Sequence, residues 1–451
     1  MNRHEPLTGK RFAIATLGCK VNQFETADMI EQMHADGWRQ VKFSEVADLY
    51  LINSCTVTAR SDAESRRLIR RARRTNPHAK IVATGCYAQV ASDDLQALPE
   101  LNLVLGNEEK HDLVLHLEQG RHQVTDLTTL KTSGPLRLTS FSEHTRAFLQ
   151  IQNGCESGCN YCIVPIARGP SRSVPPQEVL EALSRLVATG YQEVVFTGIH
   201  MGAYGLDLSP RSSLTALVQL MEDQNAIPRL RLGSIEPNEL TDELLARFKE
   251  STRLCHHLHI PLQSGSDSVL QRMGRGYDTG FYANRITTAA RLLPDVFIAA
   301  DLIAGFPGET EQEFAETCDF VTSLPLADLH VFPYSIRPGT KAANMPGHLK
   351  PGIIKERAEQ LRRLAAEKRA AFQQQFIGTL LPVLGQRHNP VSNLVTGISR
   401  NYLEVCYPGS AQLLNQEVMV QIDGLDHGLL TGRQITPPLC QGVWYGDNNI
   451  P

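Results

Sequence analysis

No stretch of this chain runs to about 18 uncharged apolar residues, the length a membrane-spanning helix needs, so such a segment is not expected. The amino terminus, MNRHEPLTGKRFAIATLGCK, lacks a continuous apolar core followed by a small-residue cleavage site, and the expectation is a cytoplasmic protein with no membrane partner. Neither sign of charge is in excess. The 44 basic and 48 acidic side chains leave a formal −4, which denies a general basic field but allows local basic patches for a nucleic acid. Internal repeats and low-complexity tracts are missing too. Cysteine is sparse, ten in 451 residues, and a large cytosolic protein needs no disulfide staples. Any clustering of those ten therefore reads first as metal or catalytic chemistry.

What is present is a two-part alternation of short apolar runs and amphipathic stretches. From Arg11 to about Val114 the runs FAIATLGC, DLYLINSC, KIVATGC and NLVLGN are separated by helical segments, a βαβ rhythm that predicts a parallel-sheet α/β domain over residues 1–120. Residues 121–144 mix polar residues, Gly and Pro and read as a linker. Over 145–372 six strand-like runs follow: AFLQIQ, EVVFTG, RLRLGS, HLHIPL, VFIAADLIAGF and LHVFPYS, with helices such as PPQEVLEALSRLVATG between them. That order predicts a partial (β/α)6 barrel with its chemistry at the C-terminal ends of the strands. A charged helix from Pro351 to about Phe376 leads into LLPVLGQ, NYLEVCY and EVMVQID, where Val418, Val420 and Ile422 share a face. A small all-β barrel over 373–451 is expected there.

Cys155, Cys159 and Cys162 form C-x3-C-x2-C directly after the first strand of the second alternation. Three thiolates on one loop suit three irons of a cubane cluster and leave the fourth iron open to a reactant. A closed zinc site would want a fourth Cys or His nearby; zinc and three unrelated buried cysteines are the competing readings. Cys19, Cys55 and Cys86 are far apart in sequence, yet each ends an apolar run. Parallel strands joined by helical crossovers bring such ends side by side, so these thiols either converge on a second cluster or are three buried structural cysteines. Cys255, Cys318, Cys406 and Cys440 fit no ligand spacing and read as small buried hydrophobes. Of His256, His257 and His259, alternation places the last two on one face, with no third ligand in the same run.

The triad, with aromatic Tyr161 before its last cysteine, resembles the radical S-adenosylmethionine superfamily. FTGIHMG around Thr197 and Gly198, RLGSIEP with Ser234 and Glu236, and DLIAGFPGET resemble its cofactor-binding strand ends. The resemblance implies that Tyr161, Thr197, Gly198, Ser234, Glu236 and Arg168 contact the cofactor, although Pro170 and Val174 stand where that family often has basic residues. TLGCKVNQFET, INSCTV and ATGCYAQ are similar to the amino-terminal domain of the methylthiotransferases, and GISRNYLEV resembles a TRAM barrel. What this implies is two 4Fe-4S clusters, one on each cysteine trio, with S-adenosylmethionine as methyl donor and as radical source. A low-potential electron donor such as a flavodoxin or ferredoxin is implied as well. The wording TLGCKVNQFET is nearest the branch that converts N6-threonylcarbamoyladenosine beside the anticodon of tRNA to its 2-methylthio form. The same chemistry on isopentenyladenosine or a ribosomal-protein aspartate, and a non-catalytic iron–sulfur RNA-binding protein, are the alternatives.

A tRNA substrate calls for phosphate contacts. Arg66, Arg67, Arg70, Arg71, Arg73 and Arg74 crowd one helical segment, with Arg67, Arg71 and Arg74 on a stripe that either meets phosphate or is a solvated face. Lys355 to Arg369 reads as a surface helix with internal ion pairs. From Gln373 onward there are three arginines (387, 400, 433), no lysine and five acidic residues, so Tyr402 is the expected RNA contact there, through stacking rather than charge.

Overall fold

The computed structural model describes residues 9–139 and 145–435. It divides the chain into two compact units, Met1–Arg369 and Ala370–Pro451. Among the described residues no helix is long and apolar enough to cross a membrane.

The first unit begins with five strands, β1 (Arg11–Thr16), β2 (Arg39–Gln40), β3 (Leu49–Ser54), β4 (Lys80–Gly85) and β5 (Leu103–Val104), all parallel in the order β2-β1-β3-β4-β5. Their near-continuous apolar runs suit a sheet covered on both faces. One face sends Ala13, Tyr50, Ile52, Ile81 and Ala83 against Leu68, Ile69 and Ala72 of helix α2 (Ala59–Thr75). The other sends Phe12, Leu49, Leu51 and Val82 against Met29 and Met33 of helix α1 (Lys20–Ala35). Thr58 caps α2 by accepting from the Ser61 amide at 3.2 Å, which fixes where the chain turns just after Cys55.

The same unit continues with β6 (Arg146–Asn153), β7 (Arg172–Ser173), β8 (Glu193–Gly198), β9 (Arg229–Leu232), β10 (His257–His259), β11 (Phe297–Ala304) and β12 (Asp328–Pro333). The order is β7-β6-β8-β9 and then β10-β11-β12, with bridges Leu230–Leu254 and Ser234–His259 carrying one row into the other. Six parallel strands thus form the expected partial barrel. The two-residue β7, antiparallel to β6, was not legible in sequence because it is too short to carry a period.

The barrel floor holds charge as well as hydrocarbon. Glu193 is fully buried and pairs with Arg229 and Arg231 at 2.9 Å, both also fully buried, and with Arg146 at 3.5 Å. Replacing Glu193 with leucine leaves two guanidinium groups buried beside an apolar side chain. A loss of about 3–5 kcal/mol of unfolding free energy is expected in a denaturant titration, and a near-neutral result would show that the arginines find other partners.

The stretch read as a linker is laid against the body over its described part: Leu127, Leu136 and Leu138 are buried, and Arg185 bonds the Leu136 carbonyl. The sequence-defined α/β domain and barrel share one compact unit. The helix Pro351–Gln374 runs across the division between the units.

In the second unit β13 (Leu380–Asn389), β14 (Leu394–Ser399), β15 (Glu404–Pro408), β16 (Glu417–Asp426) and β17 (Leu429–Gln434) close a barrel in the order β13-β14-β15-β17-β16. Val383, Val395, Val405, Val420, Ile422 and Leu430 fill it. All three of its arginines are engaged internally, Arg387 with Glu404, Arg400 with Glu417 at 2.7 Å and Arg433 with Asp423 at 2.7 Å.

Candidate active site

Cys19, Cys55 and Cys86 follow the C-terminal ends of β1, β3 and β4, three adjacent strands. Two glycines allow these ends to approach. Gly18 has φ +97°, and a Cβ there would lie 2.8 Å from Cys55 Cβ; Gly85 has φ +93°, and its Cβ would lie 2.4 Å from the Ser54 carbonyl oxygen. Cys55 and Cys86 are buried and Cys19 opens to the surface. Burial pushes the Cys55 thiol up to about 11, and Cys86 and Cys19 add to the shift, so the three groups feel one another's charge.

A buried polar network stands behind this trio. Arg168, 1% exposed, donates from Nε to Cys86 Sγ at 3.2 Å and also bonds the carboxylate of Glu25 and the side-chain oxygen of Asn22. Lys110 Nζ meets Glu25 Oε2 at 2.5 Å, and it too is buried. Burial alone would raise the Glu25 carboxyl; Arg168 and Lys110 outweigh it and hold the group down to about 2. Arg168 was expected among the cofactor contacts of the barrel. It lies instead against the first cysteine trio, because its short helix Val164–Arg168 points its last residue across to Cys86 at the end of β4, and Asn107, just beyond β5, bonds the Ala167 carbonyl from Nδ2 at 2.6 Å.

The second trio sits on the loop after β6. Gly154, at φ +75°, passes so close to the Pro170 carbonyl that a Cβ would lie 1.8 Å from it, and the Cys155 amide bonds the Gly169 carbonyl. Cys155 Sγ is 3.7 Å from His200 Nδ1, and His200 Nε2 is 2.5 Å from Glu239. Burial opposes charge on His200, yet Cys155 and Glu239 raise it to about 10. Arg275 donates to Cys159 Sγ at 3.2 Å, lies 3.5 Å from the Tyr161 hydroxyl and pairs with Glu236. The structure therefore brings Tyr161 and Glu236 to Cys159 through one guanidinium. Thr197 and Gly198 end β8, opposite Gln150 and Gln152 of β6, and Ser234 follows β9; Gln152 Nε2 bonds the Gly154 carbonyl at 2.8 Å.

The donor sets suit clusters better than single ions. A closed zinc site takes four ligands. Here Cys55 feels the charge of Cys19 and Cys86, and Cys162 that of Cys155 and Cys159, so each trio gathers three thiols. Three thiols hold three corners of a cubane and leave the fourth open. A cavity of about 190 Å³ has Cys162 and Tyr161 in its wall together with Val57 and Thr58, which directly follow the Cys55 segment. Arg337 bonds Asp62 at 2.5 Å beside it and ties the two halves of the unit.

Other candidates are distributed differently. Cys255 and Cys318 are buried, Cys406 is half-buried, and Cys440 lies outside the described residues. His257 is buried and stacked on Phe297, while His259 joins Asp301 and His330; the partners that a local reading missed come from neighbouring strands. Of the six clustered arginines, Arg66 bonds the Tyr87 hydroxyl and Arg73 bonds Asn102 and nearby carbonyls. Arg67 is exposed and pairs with Glu64 at 2.5 Å; Arg71 and Arg74 are exposed. Tyr402, half-buried at φ +65°, occupies the turn between β14 and β15. Glu25 lies within the quoted TLGCKVNQFET, but neither its role nor that of Arg275 was read from sequence, since a single charged residue carries no pattern of its own.

Residues 11–106 match Uncharacterized protein family UPF0004, and residues 149–321 match the Radical SAM superfamily. A Bacillus subtilis protein named threonylcarbamoyladenosine tRNA methylthiotransferase MtaB is 37% identical, over 91% of this chain and 93% of its own length. A Thermotoga maritima protein of the same name is 35% identical over 89% and 92%. A tRNA-2-methylthio-N(6)-dimethylallyladenosine synthase of Pelotomaculum thermopropionicum is 30% identical over 94% and 97%. Among solved structures, the radical S-adenosylmethionine methyltransferase TsrM from Kitasatospora setae, with cobalamin and a 4Fe-4S cluster bound, superposes with a TM-score of 0.52 at 13% identity, covering 74% of this chain and 77% of that one. That likeness is one of fold.

Proposed function

We propose that the chain, which belongs to the radical S-adenosylmethionine methylthiotransferase family, converts N6-threonylcarbamoyladenosine beside the anticodon of tRNA to its 2-methylthio form. The observation that supports this reading is the cavity whose wall holds Cys162 of the second trio together with Val57 and Thr58, two and three residues beyond Cys55 of the first. When bound, a 4Fe-4S cluster on each trio and S-adenosylmethionine supply a radical source on the Cys155, Cys159 and Cys162 side and sulfur on the Cys19, Cys55 and Cys86 side.

The chain's own residues hold that chemistry in place. Arg275 fixes Tyr161, Glu236 and Cys159 relative to one another, and the His200–Glu239 pair steadies Cys155. Thr197, Gly198 and Ser234 line the strand ends on the side where S-adenosylmethionine would lie. Arg168 places one cationic donor against Cys86 and offsets thiolate charge there. Exposed Arg67, Arg71 and Arg74 are the phosphate contacts of this reading, and the second unit's barrel, with its arginines already paired, meets RNA through shape and Tyr402. The electron donor is a low-potential flavodoxin or ferredoxin, and the place of work is the cytoplasm, where tRNA is found.

The test is a nucleoside profile of tRNA from a strain deleted for the gene. The 2-methylthio-N6-threonylcarbamoyl nucleoside should disappear while its unthiolated precursor remains. Loss of a 2-methylthio group from a dimethylallyl nucleoside would reassign the substrate, and an unchanged profile would reject a tRNA target.

A further inference from the structure

Asp301, a polar residue of the cavity wall, gathers side chains from three strands. His259 on β10 and His330 on β12 both reach one carboxylate oxygen of Asp301 on β11, at 2.7 and 3.1 Å, and the two rings meet edge to face with centroids 5.0 Å apart. Asp301 lines the cavity with Ile303, Phe332 and Val57. Alternation along a strand puts His330 on the face of Phe332, one step further down β12, at the outer strand of β10-β11-β12. The His330 side chain is 46% exposed there. Its Nδ1 is taken up by Asp301, and among the described residues no acceptor meets its Nε2. Asp301 favours the protonated ring, Asp328 adds to this, and Arg369 opposes it.

An aspartate that accepts from one ring nitrogen of a histidine fixes the ring and favours its protonated form, in which the other nitrogen also carries a hydrogen and donates. Here that donor belongs to a ring held on Asp301 and sharing a strand face with Phe332, both of which line an otherwise largely apolar cavity. An apolar N6 substituent would need no such group. A threonylcarbamoyl substituent bears a carboxylate, and a charged donor beside the Asp301 wall of the cavity meets that demand. Resting on the function proposed above, we infer that His330, positioned by Asp301 with His259 behind it, binds the carboxylate of the substrate's N6 substituent and selects it over apolar ones. The three ligand atoms also lie within 4.8 Å of one another, close enough for a metal ion. Direct ring-to-carboxylate hydrogen bonds favour the reading without one.

The experiment uses the cluster-loaded full chain and two anticodon stem-loop RNAs, one carrying N6-threonylcarbamoyladenosine and the other the same nucleoside with a carboxamide in place of the carboxylate. Wild-type enzyme should prefer the carboxylate, and His330→Gln and His330→Phe should each cut that preference ~10–100-fold, through KM more than kcat. An equal loss on both RNAs, or an unchanged preference in both variants, overturns the inference. So does zinc or manganese bound stoichiometrically to wild type and absent from His330→Gln. If wild type thiolates neither RNA, the function proposed above fails with it; if wild type thiolates the threonylcarbamoyl RNA and the preference stays put, the role of His330 alone fails.

Discussion

Cys55→Ala is expected to end methylthiolation while S-adenosylmethionine is still cleaved to 5′-deoxyadenosine, whereas Cys159→Ala is expected to end both. The two thiols belong to structurally separate sets. Cys55 hangs from β3 in the amino-terminal sheet and feels Cys19 and Cys86, and Cys159 lies on the loop after β6 and accepts from Arg275. Three ligands are the fewest that hold a cubane with one open corner, so losing one of them should empty that site and spare the other. After anaerobic purification each variant should retain roughly half of the wild-type iron and sulfide, as one cluster in place of two. A Cys55→Ala enzyme that thiolates at the wild-type rate would end the division of labour between the trios.

Arg168→Met is expected to be the most damaging change at a position that is not a cysteine. Its guanidinium is the common partner of Cys86, Glu25 and Asn22, all buried. Removing it leaves Glu25 with Lys110 alone, and breaking a buried pair from one side costs about 3–5 kcal/mol. Thermal unfolding of the apoprotein would register this without reference to activity. Adding Glu25→Gln should recover part of the loss, because the two residues act as one unit. Acid probes the same network. Glu25 titrates at about 2 in the fold against an ordinary 4.5, so its contribution is in full force above about pH 4.5 and drains away as the pH falls toward 2. Wild type should lose stability over that window more steeply than the Glu25→Gln variant.

The backbone of this reading was legible in sequence because it is periodic. Apolar runs recurring through helical crossovers predicted that Cys19, Cys55 and Cys86 end adjacent parallel strands, and the structure places them on β1, β3 and β4. The C-x3-C-x2-C spacing was equally plain. Side-chain networks were not. Arg168 belongs in sequence to the loop of the second trio and in space to the first, and no local pattern encodes a contact across 82 residues of chain. His259 had no third partner in its own run, and it finds Asp301 and His330 on the next two strands, 42 and 71 residues on. The arginine cluster was visible as charge; only packing shows that Arg66 and Arg73 are occupied with Tyr87 and Asn102.

The helix Val164–Arg168 starts two residues after Cys162 and ends on a side chain locked to Cys86 and Glu25. Any hinge that parted the sheet half from the barrel half would have to break the buried Arg168 contacts to Glu25, Asn22 and Cys86 together. The two cysteine trios are therefore held at a fixed separation, and on the function proposed above travel during turnover falls to the incoming RNA and to small molecules.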